Sequence, residues 1–293
     1  MKKTAFSLLF AAMLVCLPCL AQDTTKAAAA GDDARFNGPI GLQLYTLRNI
    51  FSEDVDKGLD QAKAFGVTEV ELAGTYGLEP EVFLKKLNDR GLKPIASLTG
   101  YDRICKETQA VVDECKALGV QYVGCAWIPH QGEFDEKQCR AVIAEFNRVG
   151  KIFAENGLKF FYHNHGYEFV PHGDGTLFDL LVTETDPRYV NFEMDTLWVV
   201  HPAQDPVALL KKYPDRWILM HLKDLRKGVP TGKLTGSEDT KNDVVLGTGQ
   251  IDLQSILKEA QALGIKHYFI EDESPTPVQQ VPQSIKYLES LTW

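Results

Sequence analysis

The chain has 293 residues, 44% hydrophobic and 24% charged, with 23 Gly and 14 Pro, which excludes a collagenous or broadly disordered polymer. Lys and Arg number 31 against 40 Asp and Glu, a formal charge of −9. No basic run occurs, so the face needed to neutralise phosphates is missing and nucleic acid is not an expected partner. This length suits either two small domains or one large α/β barrel.

Lys2 and Lys3 precede an apolar run from Ala5 to Leu20, closed by the small residue Ala21, the layout of a secretory signal peptide. The run falls short of the roughly 20 residues that a membrane span requires. Cleavage after Ala21 is expected, with no stable membrane insertion and a periplasmic or secreted mature chain. Cys16 and Cys19 follow Val15 and Pro18 rather than small residues, which argues against lipoprotein processing. Residues 22–36 read as a flexible leader. What remains, 37–293, is close to the roughly 250 residues of an eightfold β/α barrel. Cys105, Cys115, Cys125 and Cys139 fit no zinc-ribbon spacing, and buried free thiols are expected because a core of this size needs no staple.

Along that region, β-rich runs alternate with helical patterns. Strands are expected at Ile40–Tyr45, Val67–Leu72, Lys93–Leu98, Tyr122–Ala126, Leu158–His163, Val190–Asp195, Trp217–Leu222 and Tyr268–Glu271. Between them, Val82, Leu84 and Leu87 form one helical stripe, and Val142, Ile143, Phe146, Val149 and Phe153 another. Such alternation implies βαβ units around a parallel sheet. Gly66, Gly91, Gly119, Gly157 and Gly264 each precede a strand, as left-handed helix caps do. Eight strands at this spacing predict a closed (β/α)8 TIM barrel, one domain behind its signal peptide. A doubly wound open sheet is the alternative, but no G-x-G-x-x-G follows the first strand. The polar, Gly-rich connection from Asp224 to Gln250 follows a strand and therefore belongs to the active-site face.

Barrel chemistry collects where strands run into the following loops. Here the second strand ends at Glu71, the fifth at His163-Asn164-His165 with Glu168 just beyond, the sixth at Glu193-Met194-Asp195, the seventh at His221-Leu222-Lys223-Asp224, and the eighth at Glu271-Asp272-Glu273. The two-residue repeat of a strand puts His163 with His165, Glu193 with Asp195, and His221 with Lys223 on common faces. Four successive strands thus bring ligand-competent residues to one mouth, where a divalent cation offsets the cost of burying their charge. A mixed imidazole and carboxylate set suits one ion of Mn²⁺, Zn²⁺ or Co²⁺, with Mg²⁺ a further candidate. Each residue also has a plainer reading: a hydrogen-bonded rim histidine, a Glu193 ion pair, a loop acid at Glu71, or a turn cap at Asp224.

Gly41-Leu42-Gln43-Leu44-Tyr45-Thr46-Leu47-Arg48, Tyr162-His163-Asn164-His165, Met194-Asp195, His221-Leu222-Lys223-Asp224, Leu246-Gly247-Thr248-Gly249 and Glu271 together resemble the xylose isomerase-like barrel superfamily. Within it, the chain is similar to the sugar phosphate isomerases/epimerases. The resemblance implies one divalent metal held by residues from strands five to eight: Asp195, His221 and Glu271 match. His163-Asn164-His165 stands where many relatives place a Glu, so His163, His165 or Glu168 would complete the set. Endonuclease IV-type relatives carry a His three residues after the Asp; Trp198 stands there and argues against DNA repair.

The superfamily's shared step is metal-assisted enediolate formation with proton removal by a positioned base. Glu168 is the expected proton-transfer residue, Lys223 the group that stabilises charge, and Glu271 both a ligand and a member of the catalytic set. Glu71, Trp127, Trp198 and Lys223 are expected to touch substrate. The leading expectation is a sugar isomerase/epimerase acting on a non-phosphorylated or oxidised sugar, because an exported protein meets few sugar phosphates. The alternatives are a keto-glycoside lyase/hydratase working by β-elimination, and a non-catalytic carbohydrate-binding protein. The expected partner is a small sugar, with assembly into a homo-oligomer left open.

Overall fold

In the computed structural model, which describes Met1 and residues 35–293, eight parallel strands close into a barrel: β1 (Ile40–Gln43), β2 (Glu69–Leu72), β3 (Lys93–Thr99), β4 (Tyr122–Cys125), β5 (Lys159–His163), β6 (Val190–Asp195), β7 (Trp217–Leu222) and β8 (His267–Ile270). Their order round the barrel follows the chain, and β1 closes the ring by pairing in parallel with both β8 and β2. This is the expected (β/α)8 TIM barrel, with strand boundaries within two residues of expectation. The signal-peptide region and residues 22–34 of the leader lie outside the described residues. Residues 35–293 lie in one compact unit. No helix among the described residues is long and apolar enough to cross a membrane.

The last two residues of the 22–36 segment are structured. Arg35 bridges to Thr292, and Phe36 is buried with its ring against Tyr268. Hydrophobic burial of a large ring is enough to order this segment.

Two apolar layers hold the barrel. Outside it, the long helix Glu136–Glu155 presents Val142, Ile143, Phe146, Val149 and Phe153, all buried, as its stripe predicts. The helix Pro80–Asn88 differs: Phe83 and Leu87 are fully buried while Val82 is 47% exposed. The aromatic ring takes the inward position because it removes more apolar area from water than valine does. Inside the barrel, Ile95, Ala96, Tyr122, Phe161, Leu219 and Phe269 form a separate plug. Gly124 makes room for it, since a Cβ there would collide with the Phe161 ring.

All five helix-ending glycines have positive φ, from +69° to +84°. All four described cysteines are free thiols.

The connection after β7 folds over the mouth. The Asp224 carboxylate accepts from the backbone N–H groups of Gly247 (2.9 Å), Gly249 (2.8 Å) and Ile251 (3.1 Å). Farther out, Glu238 joins His201 Nε2 (2.8 Å) and Lys233 Nζ (2.8 Å).

Candidate active site

The plug sets the floor. Two residues beyond Phe161 on β5 comes His163, two beyond Leu219 on β7 comes His221, and two beyond Phe269 on β8 comes Glu271. Strand alternation therefore stacks a polar layer on the apolar one. His163, Asp195, His221 and Glu271 are all buried, and each offers a donor atom within 4.8 Å of the others'.

The imidazoles are oriented from beneath. His163 Nδ1 lies 3.1 Å from Glu193 Oε2, which leaves Nε2 facing Asp195 Oδ2 at 3.8 Å. His221 Nε2 contacts Glu71 and lies 3.3 Å from Glu193 Oε2, while its Nδ1 faces Glu271 Oε2 at 3.3 Å and Asp195 Oδ2 at 4.0 Å. A carboxylate behind each ring fixes the tautomer whose lone pair points at the shared space. Asp195 Oδ1 caps the short helix Thr196–Val200 by accepting from Trp198 N at 2.9 Å, so its orientation is set as well.

A cation fits this cluster on the chemistry of its donors. Asp195 Oδ2 and His221 Nδ1 are buried without a hydrogen-bond partner. Burial and the Glu71 charge push Glu193 well above the usual carboxylate range, and burial takes Asp195 up to about 7. His221 is driven the other way: burial opposes its charge, but Glu193, Glu71 and Glu271 outweigh that and hold it well above an ordinary histidine. The carboxylates thus draw a proton onto a buried ring, a place that a metal ion would take in exchange for that proton.

Above the cluster opens a cavity of about 560 Å³. Lys223 Nζ sits on its wall, buried, 3.1 Å from Glu271 Oε2 and paired with Glu273. Trp198 and His165 form the adjoining wall, their rings 5.4 Å apart. Burial holds His165 down to about 3, so the ring is neutral, and its Nδ1 has no hydrogen-bond partner. Residues 236–240 of the connection after β7 cover one side.

The structure thus brings His163, Asp195, His221 and Glu271 together and places Lys223, Trp127, Trp198 and His165 around the cavity. His165 lies outside the four-residue cluster. Two residues stand elsewhere than expected. Glu168 is fully buried behind the wall, where its carboxylate accepts from Tyr162 Oη and from His165 N at 2.9 Å. The 3-10 turn Tyr167–Phe169 carries it back beneath the loop, so it anchors the loop that bears His165 rather than reaching a sugar. Glu71 is also fully buried, held by Gln43 Nε2 at 2.6 Å beneath His221, and does not line the cavity. Sequence reasoning missed Glu193 as the carboxylate serving both imidazoles. Its place two residues before Asp195, on the same strand face, was the available signal.

The described residues agree with what known proteins show. Residues 59–291 match the xylose isomerase-like TIM barrel family. An inosose dehydratase of Clostridium botulinum (strain Alaska E43 / Type E3) is 27% identical over 257 residues, covering 75% of this chain and 82% of its own. The crystal structure of a sugar phosphate isomerase/epimerase from Parabacteroides distasonis ATCC 8503 superposes with a TM-score of 0.72 at 28% identity, covering 87% of this chain and 98% of that one. The IolI protein, whose crystal structure holds a zinc atom, shares the fold at a TM-score of 0.66 and 16% identity, over 86% of this chain and 95% of its own. This chain is an enzyme of the xylose isomerase-like TIM barrel family.

Proposed function

We propose that the enzyme is a divalent-metal-dependent lyase or dehydratase that removes the proton beside a ketone on a neutral sugar-like ring and eliminates the oxygen substituent one carbon further on. One observation carries this reading. The four-residue donor cluster, with Asp195 Oδ2 and His221 Nδ1 unpartnered, shares a cavity with a neutral imidazole at His165 and an ammonium at Lys223. The dehydratase name of the Clostridium relative favours elimination over the isomerisation that leads the sequence reading.

His163, Asp195, His221 and Glu271 would hold the ion, which when bound supplies Lewis-acid polarisation of a carbonyl. The mixed N/O donor set favours Zn²⁺, Mn²⁺ or Co²⁺. The His165 imidazole takes the proton from the carbon next to the ketone, and the electron pair moves onto the carbonyl oxygen. Lys223 Nζ stabilises the charge that develops there. When the carbonyl re-forms, the C–O bond one carbon further on breaks. The leaving oxygen takes a proton from the His165 imidazolium and departs as water or an alcohol, leaving an unsaturated ketone. Residues 236–240 limit the access of bulk water to the reacting atoms.

Charge narrows the substrate. Among the described residues the cavity wall carries Glu238, Asp239, Asp243, Glu271 and Glu273 against Lys223 and the ring of His221. A phosphorylated sugar would meet repulsion there with no arginine to bind it.

The test is incubation of the metal-supplemented enzyme with keto-sugars and keto-cyclitols in D₂O. An unsaturated ketone is the expected product. Deuterium in an otherwise intact sugar would instead establish isomerisation or epimerisation, the second reading, which the similarity to the Parabacteroides structure favours. Export belongs to the same proposal, and rests on the basic and apolar character of residues 1–21. N-terminal sequencing of the mature protein should begin at Gln22.

A further inference from the structure

The cavity is larger than a single sugar ring requires. Even at the loose packing of liquid water, about 30 Å³ per heavy atom, the twelve heavy atoms of a hexose need about 360 Å³, and the cavity offers about 560 Å³. The surplus is not evenly lined. Among the described residues, every charged or imidazole side chain on the wall comes from β5 onward. From β1 to β4 and the turns after them the wall consists of Gln43, Ala73, Leu98, Thr99, Gly100 and Ala126, with Tyr45 and Trp127 on the same side. Tyr45 and Trp127 are 44% and 42% exposed. Apart from Met1 and Val82, they are the only large hydrophobic side chains exposed among the described residues.

We infer that this half of the cavity is a second subsite, which holds a neutral ring attached to the reacting sugar through the oxygen that is expelled, so that the substrate is a glycoside rather than a free monosaccharide. The inference rests on the elimination reading for the direction of the bond but on its own geometry for the ring. The exposed parts of the Tyr45 and Trp127 rings, whose other sides carry the Arg48 guanidinium and the stacked His130 ring, suit an aromatic aglycone, and six ring atoms at about 30 Å³ each fit the surplus. The small residues Ala73, Gly100 and Ala126 leave the space a second ring needs. Among the described residues no charged side chain lines this half, and the Arg48 guanidinium beside Tyr45 is engaged by the backbone carbonyls of Tyr45 and Glu273, so a neutral group is favoured. The leaving group then departs as an alcohol.

Calorimetric titration with phenyl and methyl glucosides tests this without chemistry, because neither ligand carries a ketone. Wild-type enzyme should bind the phenyl glucoside about tenfold more tightly than the methyl glucoside. Gly100→Leu should erase that ratio by filling the subsite. A Cβ at Gly100 meets no atom within 4 Å, and the backbone φ is ordinary, so the variant folds even if Trp127→Ala does not. Equal affinity for the two glucosides, binding of neither, or a ratio unchanged in Gly100→Leu would overturn the inference. The elimination reading fails separately, through the absence of an unsaturated product. That outcome leaves the glucoside ratio standing.

Discussion

The two halves of the barrel mouth are built from the same repeating unit and differ in nearly everything else. On β5 to β8 the inward positions above the plug are His163, Glu193, Asp195, His221 and Glu271, each held by a neighbour beneath or beside it. On β1 to β4 the wall has, among the described residues, no titratable group except Tyr45, and the β2 carboxylate nearer the mouth, Glu71, is drawn down under His221. The division separates tasks that interfere physically. A polar cluster needs rigid, dehydrated partners to hold its donors, whereas a subsite for a variable ring needs open space and flat apolar faces. Placing both on one barrel lets each half change without unsettling the other.

Asp195→Ala strikes the polar half hardest. It removes a donor from the cluster and the cap of the helix Thr196–Val200, and should lower turnover by about 10³-fold. Elemental analysis of the purified variant should find the divalent metal reduced or lost; full metal content with full activity would refute the assignment of Asp195.

Glu168→Gln tests the wall between the halves by stability. Burial pushes Glu168 up to about 7 from an ordinary 4.5, so below about pH 4.5 the carboxyl is protonated in both folded and unfolded chains. As pH rises toward 7 the unfolded chain ionises first, and the folded state loses on the order of 3 kcal/mol. The glutamine variant keeps an acceptor for Tyr162 and does not titrate. Its urea midpoint should therefore gain on wild type between pH 5 and 8, and parallel curves would show that Glu168 carries no such penalty.

Glu193→Gln is expected to act on the metal rather than on the fold. Loss of a carboxylate behind two ligating rings typically costs 10–100-fold in metal affinity, readable by competition with a chromogenic chelator. Unchanged affinity would mean that Glu193 does not orient the rings.

The smallest effect belongs to the apolar half. Tyr45→Phe keeps the ring and removes the hydroxyl, so glucoside affinity should change by less than about twofold, while Tyr45→Ala costs several-fold. A large effect of Tyr45→Phe would show that the hydroxyl rather than the ring face binds substrate.

How legible each half was follows from the forces that build it. The barrel strands stand out in the sequence because they are buried on both faces and read as apolar runs. The cluster residues His163, Asp195, His221 and Glu271 could be picked out because strand alternation aims them at the axis. Depth within the barrel was not legible. How far Glu71 and Glu193 sit below His221 depends on the stagger between neighbouring strands, which no single strand's sequence records. The direction of Glu168 was hidden for a different reason: a 3-10 turn after the strand breaks the two-residue alternation. Of the apolar half only Trp127 stood out, because alanine and glycine at a strand end carry no chemical signal, and only the cavity they leave gives them meaning.

The Asp224 carboxylate gathers three backbone N–H groups from Gly247, Gly249 and Ile251 at the root of the long connection. The two ends of that connection are thereby pinned to one point beside β7, whatever lies between them. The largely exposed stretch 226–242 can lengthen, shorten or exchange its side chains without shifting the strand that bears His221 and Lys223. In evolutionary terms the carboxylate is a hinge pin for an interchangeable cover, through which new substrates can be admitted while the reaction centre beneath stays as it is.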